Sequence, residues 1–446
     1  MRIIAVALAA SLACANVGDP PGGPPITTPP VVVEVRPESG AVVPNWRGAA
    51  IIRFDDVIDE MASAPSSGGG PAGLGRYVLL SPVAGPVKVG WHRSSISIEP
   101  KEGWKPGRVY HLQLLPGIVD LRHNTRKQGL TIVFSTGPAI PTAGLSGAAV
   151  LWVEQRALTP GLIRAVPVGD TVGYLALTDS AGRFRLDAIP PGHYVVFAIN
   201  DLNNNRQRDR REPYDSSLVT LDTSASVTFW AFVHDTVGPR GRGADPIDSL
   251  AFRVNLTQPL DPTAPLDTAR VRVVALPDST PVAITAILTQ SRYDSLVARE
   301  RAVADSLRRA ADTTAKGDTT RRDTTAQARR DTAQVSGAAP SRRAPAGGRD
   351  TAAHVDTSGL RRLLSQRPAP TDRIVIRVDK PLQPGRHYLA RVRGLRSLSG
   401  VNGDAQAVLS VPKPAPPPPH PAPSPPLRPK AAARDTTRVR RDSTKP

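Results

Sequence analysis

Ser95-Ile96-Ser97-Ile98-Glu99, followed by Pro106-Gly107-Arg108-Val109-Tyr110, decides the fold class. The first piece alternates apolar and polar side chains with a period of two, as a strand with one wet face must. The second enters a strand through Pro-Gly, a pair suited to a tight turn. Working outward, strand signals fall at 31–35, 49–54, 77–80, 87–91, 95–99, 109–115 and 130–135, divided by Pro, Gly and Asn. That spacing predicts one seven-stranded sandwich. Ala49-Ala50-Ile51-Ile52 is continuous enough to be a central strand. The stretch 62–75, with Gly68-Gly69-Gly70, reads as a flexible loop, and no Gly-Lys-Ser/Thr follows to make it a phosphate loop.

A second β-rich block predicts strands at 148–154, 162–166, 174–178, 183–186, 194–199, 218–221 and 227–233. A third predicts strands at 250–256, 271–276 and 282–288, then breaks off. Tyr293, Leu296, Val297, Val303, Leu307 and Ala311 recur at helical spacing among charges, which predicts a helix with a thin apolar stripe. Beyond it the chain is Arg, Asp, Thr and Ala to about Val355, too poor in hydrophobes to fold. Strand signals resume at 373–378, 387–392 and 407–411, so the third module reads as one domain split by an insertion. An internal repeat supports this. Pro106-Gly107-Arg108-Val109-Tyr110 returns as Pro384-Gly385-Arg386-His387-Tyr388, with a shorter relative in Pro191-Gly192-His193-Tyr194. The tyrosine is expected to anchor a sheet edge.

Composition limits what else the chain can be. Of 446 residues, 47 are proline and only 4% are aromatic, so folded modules must alternate with solvated tether. The single cysteine, Cys14, rules out an intrachain disulfide and a multi-cysteine zinc site. Arg2 precedes an apolar run, 3–13, broken only by Ser11; it has the length of a signal-peptide core and is too short to span a bilayer. Leu12-Ala13-Cys14 then reads as a lipoprotein cleavage site whose thiol takes the lipid. The rival is ordinary signal peptidase cleavage after Ala15, since Ser11 stands where such sites usually carry leucine. Ala15 also lacks the aspartate that commonly retains lipoproteins in the inner membrane.

The domain reading is therefore a signal peptide at 1–13, a lipidated Pro/Gly stalk at 14–30, sandwiches at 31–138 and 143–235, a second Ig-like domain at 244–412 interrupted at 292–358, and a disordered Pro/Arg-rich tail at 413–446. The order Pro37-Glu38-Ser39-Gly40, Ile51-Ile52-Arg53-Phe54-Asp55, Pro106 to Tyr110, Asp120, Asn124 and Phe134-Ser135-Thr136-Gly137 resembles the bacterial Ig-like domain of the S-layer SbsA type. Block two, with Asp179-Ser180-Ala181-Gly182-Arg183-Phe184 and Ile189 to Tyr194, resembles the carboxypeptidase-regulatory-like, prealbumin-type β-sandwich. With Cys14 and the Pro-Gly stalk, the whole resembles bacterial Ig-like lipoproteins. The resemblance implies an all-β chain of tandem sandwiches and an envelope location, and it implies no particular ligand.

The sharpest local motif is 201–212, in which Asp201, Asn203, Asn205, Asp209 and Glu212, with the Gln207 carbonyl, fall at calcium-loop spacing. Arg206 stands where the sharp turn of such a loop wants glycine, and a strand replaces the usual leading helix. The competing reading is a strand-to-strand loop whose Asp and Asn cap their own backbone. No His-Glu-x-x-His, Gly-x-Ser-x-Gly or dinucleotide fingerprint occurs. Asp55-Asp56 and Asp59-Glu60 read as a solvated loop rather than paired glycosidase acids. The expectation is a non-enzymatic spacer or adhesion scaffold, alternatively a calcium-dependent binder of carbohydrate or envelope polymer. The formal charge of +18 sits largely in the insertion and tail, which lack the aromatics for stacking nucleic acid. Expected partners are the membrane through the lipid, anionic envelope polymers and other envelope proteins. The location read is the outer membrane, facing the periplasm or the exterior.

Overall fold

The computed structural model describes residues 27–60, 71–316 and 357–413. Cys14, the expected signal peptide, most of the expected stalk, the body of the arginine-rich insertion and the expected disordered tail lie outside the described residues.

In the first module, β1 (Val32–Arg36), β2 (Ala50–Phe54), β5 (Ser95–Pro100) and β4 (Val87–Trp91) form one sheet in that order. It packs on β3 (Val78–Ser81), β6 (Val109–Leu114) and β7 (Leu130–Ser135). Ile52, Ile96, Ile98, Leu112, Ile132 and Phe134 fill the space between. β2 is central, yet it is not buried on both faces: Ala50, Ile52 and Phe54 point inward while Ile51 stays 38% exposed. A two-layer sandwich leaves the outer face of every strand to solvent, which overrides the continuous apolar reading.

The repeated tyrosine is not at a sheet edge. β6 lies between β3 and β7, and the Tyr110 hydroxyl reaches back to accept the Lys105 N–H at 2.7 Å. Tyr194 donates to the Pro190 carbonyl and Tyr388 accepts the Gln383 N–H at 2.8 Å, each again from a mid-sheet strand. The motif is a buried latch on the turn before it. Burial pushes the Tyr194 phenol up to about 12, which keeps its proton available for donation.

The second module places β11 (Tyr174–Leu177), β10 (Leu162–Pro167), β13 (Gly192–Ile199) and β14 (Tyr214–Leu221) in one sheet. The other holds β12 (Arg183–Asp187), β8 (Gly144–Leu151) and β15 (Ser224–Ala231), with β9 (Arg156–Ala157) on β8. β8 begins four residues earlier than the expected 148. Its Gly-Leu-Ser-Gly start carries little strand propensity, but Gly147 is required there, since a Cβ would meet the Val227 carbonyl at 1.9 Å.

The third module is a single eight-stranded sheet rather than two separate ones. Its order is β19 (Thr280–Val282), β18 (Val271–Leu276), β22 (His387–Arg396), β23 (Asn402–Ser410), β16 (Gly241–Pro246), β17 (Ala251–Leu260), β21 (Thr371–Val378) and β20 (Ile284–Thr289). The sheet curls until β18 and β20 touch, enclosing one core around Phe252, Ile376, Tyr388 and Leu409. The expected strand at 282–288 is two, β19 and β20, and β16 had no expected counterpart, since Gly-Arg-Gly-Ala-Asp-Pro lacks strand formers. Helices α1 (Gln290–Lys316) and α2 (Thr357–Leu364) sit between β20 and β21, which pair directly. Only the first turns of α1 pack: Tyr293 is buried and donates to Asp248 at 2.7 Å, whereas Val303 and Leu307 are 59% and 66% exposed. The thin stripe is thus packed at Tyr293, Leu296 and Val297 and solvated at Val303 and Leu307.

All three modules close on a parallel contact. In the second and third modules the last strand returns beside the first in parallel, β15 against β8 over its whole length and Leu409 of β23 against Ala244 of β16; in the first, Ser135 of β7 bridges in parallel to Val42, in the segment that follows β1. A chain that enters and leaves on parallel neighbours comes in at one end of the sandwich and goes out at the other. The modules consequently follow one another in series.

Candidate functional site

The 201–212 loop joins β13 to β14. Asp201 is buried and its carboxylate accepts the N–H groups of Asn205 at 3.0 Å and Arg206 at 2.9 Å. Asn203 and Asn205 donate their side-chain amides to Asp209 at 2.6 and 3.0 Å. The buried Glu212 closes the loop by accepting from Leu202 and Asp209. Burial pushes the Asp201 carboxyl up, and the backbone N–H groups and the Arg206 charge oppose that shift. Arg206 adopts φ +62°. This is the sharp turn that calcium loops make at position six, here forced on a residue that resists it.

The sequence brings the six predicted residues into one loop, but the neutral amides face the carboxylate with nitrogen. To ligate a cation, Asn203 and Asn205 would have to turn their amide oxygens inward. Among the described residues no three His, Cys, Asp or Glu side chains converge to hold a metal ion. An ion here would therefore lean on the neutral oxygens of Asn203, Asn205 and Gln207.

Arg206 points away from the loop. Its guanidinium donates to the carbonyls of Gly75 at 3.0 Å and Arg76 at 3.4 Å in the first module, and burial lowers its pKa. It belongs to a polar joint between the modules. The open edge of β11 is covered by first-module side chains: the Leu175 N–H donates to the Ser81 hydroxyl at 3.0 Å and its carbonyl accepts from Gln113 at 3.1 Å. His111, buried in β6, lies 3.2 Å from the Ala188 carbonyl and packs its ring edge-to-face on Tyr174. Burial holds the His111 imidazole down to about 4, so it is neutral at physiological pH. None of these joint residues was legible as such; a polar residue inside an apolar strand, as in Val-Tyr-His-Leu-Gln-Leu, is the one signal that points to His111 and Gln113.

The other candidates sort plainly. Asp55 accepts the Val31 N–H, and Asp56 pairs with Arg122 at 2.9 Å. Both hold loops in place. Trp104 stacks edge-on against Tyr110 and Phe134, and Trp230 is buried. Trp152 sits at the joint with the third module, its indole donating to Pro368 at 3.2 Å. Arg367 lies over the rings of Trp152 and Trp230 at 5.7 and 5.1 Å. Trp91, half-buried, lines a cleft between modules one and two.

No curated protein matches the chain. Among solved structures, the N-terminal part of the bacterial S-layer protein SbsC aligns at 11% identity and a TM-score of 0.20, over 40% of this chain. The chain spans 24% of that fragment's length. BcpA, the major pilin subunit of Bacillus cereus, aligns at 10% identity and 0.16, over 45% of this chain and 70% of the pilin. Native alpha-2-macroglobulin from Escherichia coli, spanning domains MG0-NIE-MG1, aligns at 13% identity and 0.17, over 56% of this chain and 84% of that one. Likeness at this level bears on neither activity nor partner. Residues 26–136 match the family described as bacterial Ig-like domain, and the first module of this chain is such a domain.

Proposed function

We propose that the protein is an exported, non-enzymatic scaffold of the cell envelope, anchored by lipid at Cys14 in the outer membrane and carrying its sandwiches outward as a spacer or adhesive unit. The observation that carries this reading is the series arrangement: the second and third modules are crossed end to end by a chain whose terminal strands run parallel, and the first ends on a parallel bridge to the segment after its first strand. Such a build gains reach with every module. The acids that a hydrolase would need, Asp55 and Asp56, are instead committed to a backbone N–H and to Arg122. The test is intact-mass analysis of the membrane fraction from cells expressing the wild type and Cys14→Ala. A lipid mass lost in the variant is expected; an unmodified chain beginning after Ala15 overturns the anchor.

A second reading, calcium binding at Asp201, Asn203, Asn205, Gln207, Asp209 and Glu212, is favoured by the turn at Arg206 and by its N–H bond to Asp201. Calcium in large excess over its dissociation constant would stabilise the second module by about 3 kcal/mol. The expected result is a melting temperature that rises with calcium, falls back with chelator, and does not respond in Asp201→Ala. An unchanged melt in the wild type removes the ion.

A further inference from the structure

We propose that the cleft between the first and second modules is a binding site for an anionic polysaccharide. Its volume is about 1860 Å³. That exceeds the ~300–1,000 Å³ of ordinary small-molecule sites, and it suits a run of polymer better than a single metabolite.

The floor is the outer face of the β11-β10-β13 sheet. Register sets Leu175, Arg164 and Phe197 abreast across the three strands. The facing wall is the edge strand β4, which contributes Trp91 and the exposed Lys88. Arg208 leans over the Phe197 ring at 5.5 Å. Among the described residues, Lys88, Arg164 and Arg208 have no carboxylate within ion-pair distance. Two acids stand on the rim, Glu60 and Asp170, the second held by Arg108 at 3.6 Å.

Three cations without a carboxylate partner, Arg164 bonded to the Thr171 carbonyl at 3.0 Å and Arg208 stacked on Tyr214 at 4.7 Å as well as on Phe197, stand beside half-exposed aromatic rings and match a chain of sugars bearing acid groups. Ring faces of the sugar lie on Trp91 and Phe197, the guanidinium groups take carboxylates with paired hydrogen bonds, and the exposed Gln207 amide serves hydroxyls. An acidic peptide fits less well. An extended peptide gains its affinity by pairing with a free strand edge. Here the β11 edge is closed by Ser81 and Gln113, and the β4 edge carries Lys88, a charge that guards edges against pairing. The site is independent of the lipid anchor.

The experiment is calorimetric titration of the full chain with polygalacturonate, alongside neutral dextran and polyglutamate, at low and physiological salt. The triple variant Lys88→Glu, Arg164→Glu, Arg208→Glu leaves the arginine-rich insertion and tail intact, so it separates the cleft from general polyanion attraction. Polygalacturonate is expected to bind, to weaken with salt, and to lose on the order of tenfold or more in the triple variant. Dextran is expected not to bind. Phe197→Ser should weaken the polyuronate and leave residual polyglutamate attraction unchanged. Unaltered polygalacturonate affinity in the triple variant overturns the proposal, because the polymer then sits on the basic segments. Polyglutamate bound as tightly, and lost in the same variant, overturns it in favour of an acidic peptide. Should the triple variant melt early, Arg208→Glu alone, on an exposed side chain, is expected to cost about threefold, and no change there overturns the proposal.

Discussion

The two joints of the molecule are built from opposite materials. Between modules one and two, buried and half-buried polar groups meet in fixed directions: His111 to Ala188, Gln113 and Ser81 to Leu175, Arg206 to Gly75 and Arg76. Between modules two and three, contact rests on Arg367 laid over Trp152 and Trp230, one indole bond to Pro368, and the Asp235 N–H on the Ser399 hydroxyl. Directional bonds away from water hold one geometry and are costly to leave unmade. Stacking tolerates sliding and costs little when it opens. The first joint should therefore fix an angle and respond to pH, and the second should bend.

The largest expected effect is acid. The folded His111 pKa of about 4 lies below its ordinary 6.5, so between those values the unfolded chain takes a proton that the folded chain refuses. Stability falls as pH drops through that window and levels off beneath it, by up to about 3 kcal/mol at ~1.4 kcal/mol per unit. Urea unfolding from pH 7 to 4 checks this. His111→Gln should flatten most of the slope, leaving the part due to His234, whose pKa burial also lowers. An unchanged slope in the variant would move the pH response away from this joint.

Next in size is Arg206→Ala, which removes the guanidinium from the Gly75 and Arg76 carbonyls and is expected to cost about 2 kcal/mol. Calorimetry should show modules one and two melting as separate transitions. Arg206→Lys should recover part of the loss. The smallest effect belongs to the other joint: Arg367→Ala should cost ~0.5–1 kcal/mol, leave the first two modules unaltered, and change the tryptophan emission. Solution scattering that finds the first pair more variable in angle than the second would reverse the contrast.

Much of the sandwich architecture was legible because each strand of modules one and two carries its own local pattern. Val87–Trp91 and Leu130–Ser135 were readable to the residue. β16 and the start of β8 were not, since Gly241-Arg242-Gly243 and Gly144-Leu145-Ser146-Gly147 become strands only through their partners, β17 for the first and the distant β15 for the second. The same holds for the site. Spacing alone collected Asp201 to Glu212, but nothing in the loop announces that Arg206 leaves it for the adjacent module. Joint residues answer to surfaces that meet only after folding, and period-two patterns say nothing about them.

The parallel closure of each module has a mechanical consequence. A pull on both ends of the chain loads the first and last strands lengthwise and in opposite directions, so the bonds between them must slide together rather than unzip one at a time. Eight facing residue pairs hold Gly144–Leu151 to Ser224–Ala231 in the second module, while the third has one aligned pair at Ala244 and Leu409. The first module likewise has one such pair, Val42 and Ser135, so under tension the second module holds longest, which leaves the stretch between the two joints as the last part of the tether to lose its shape.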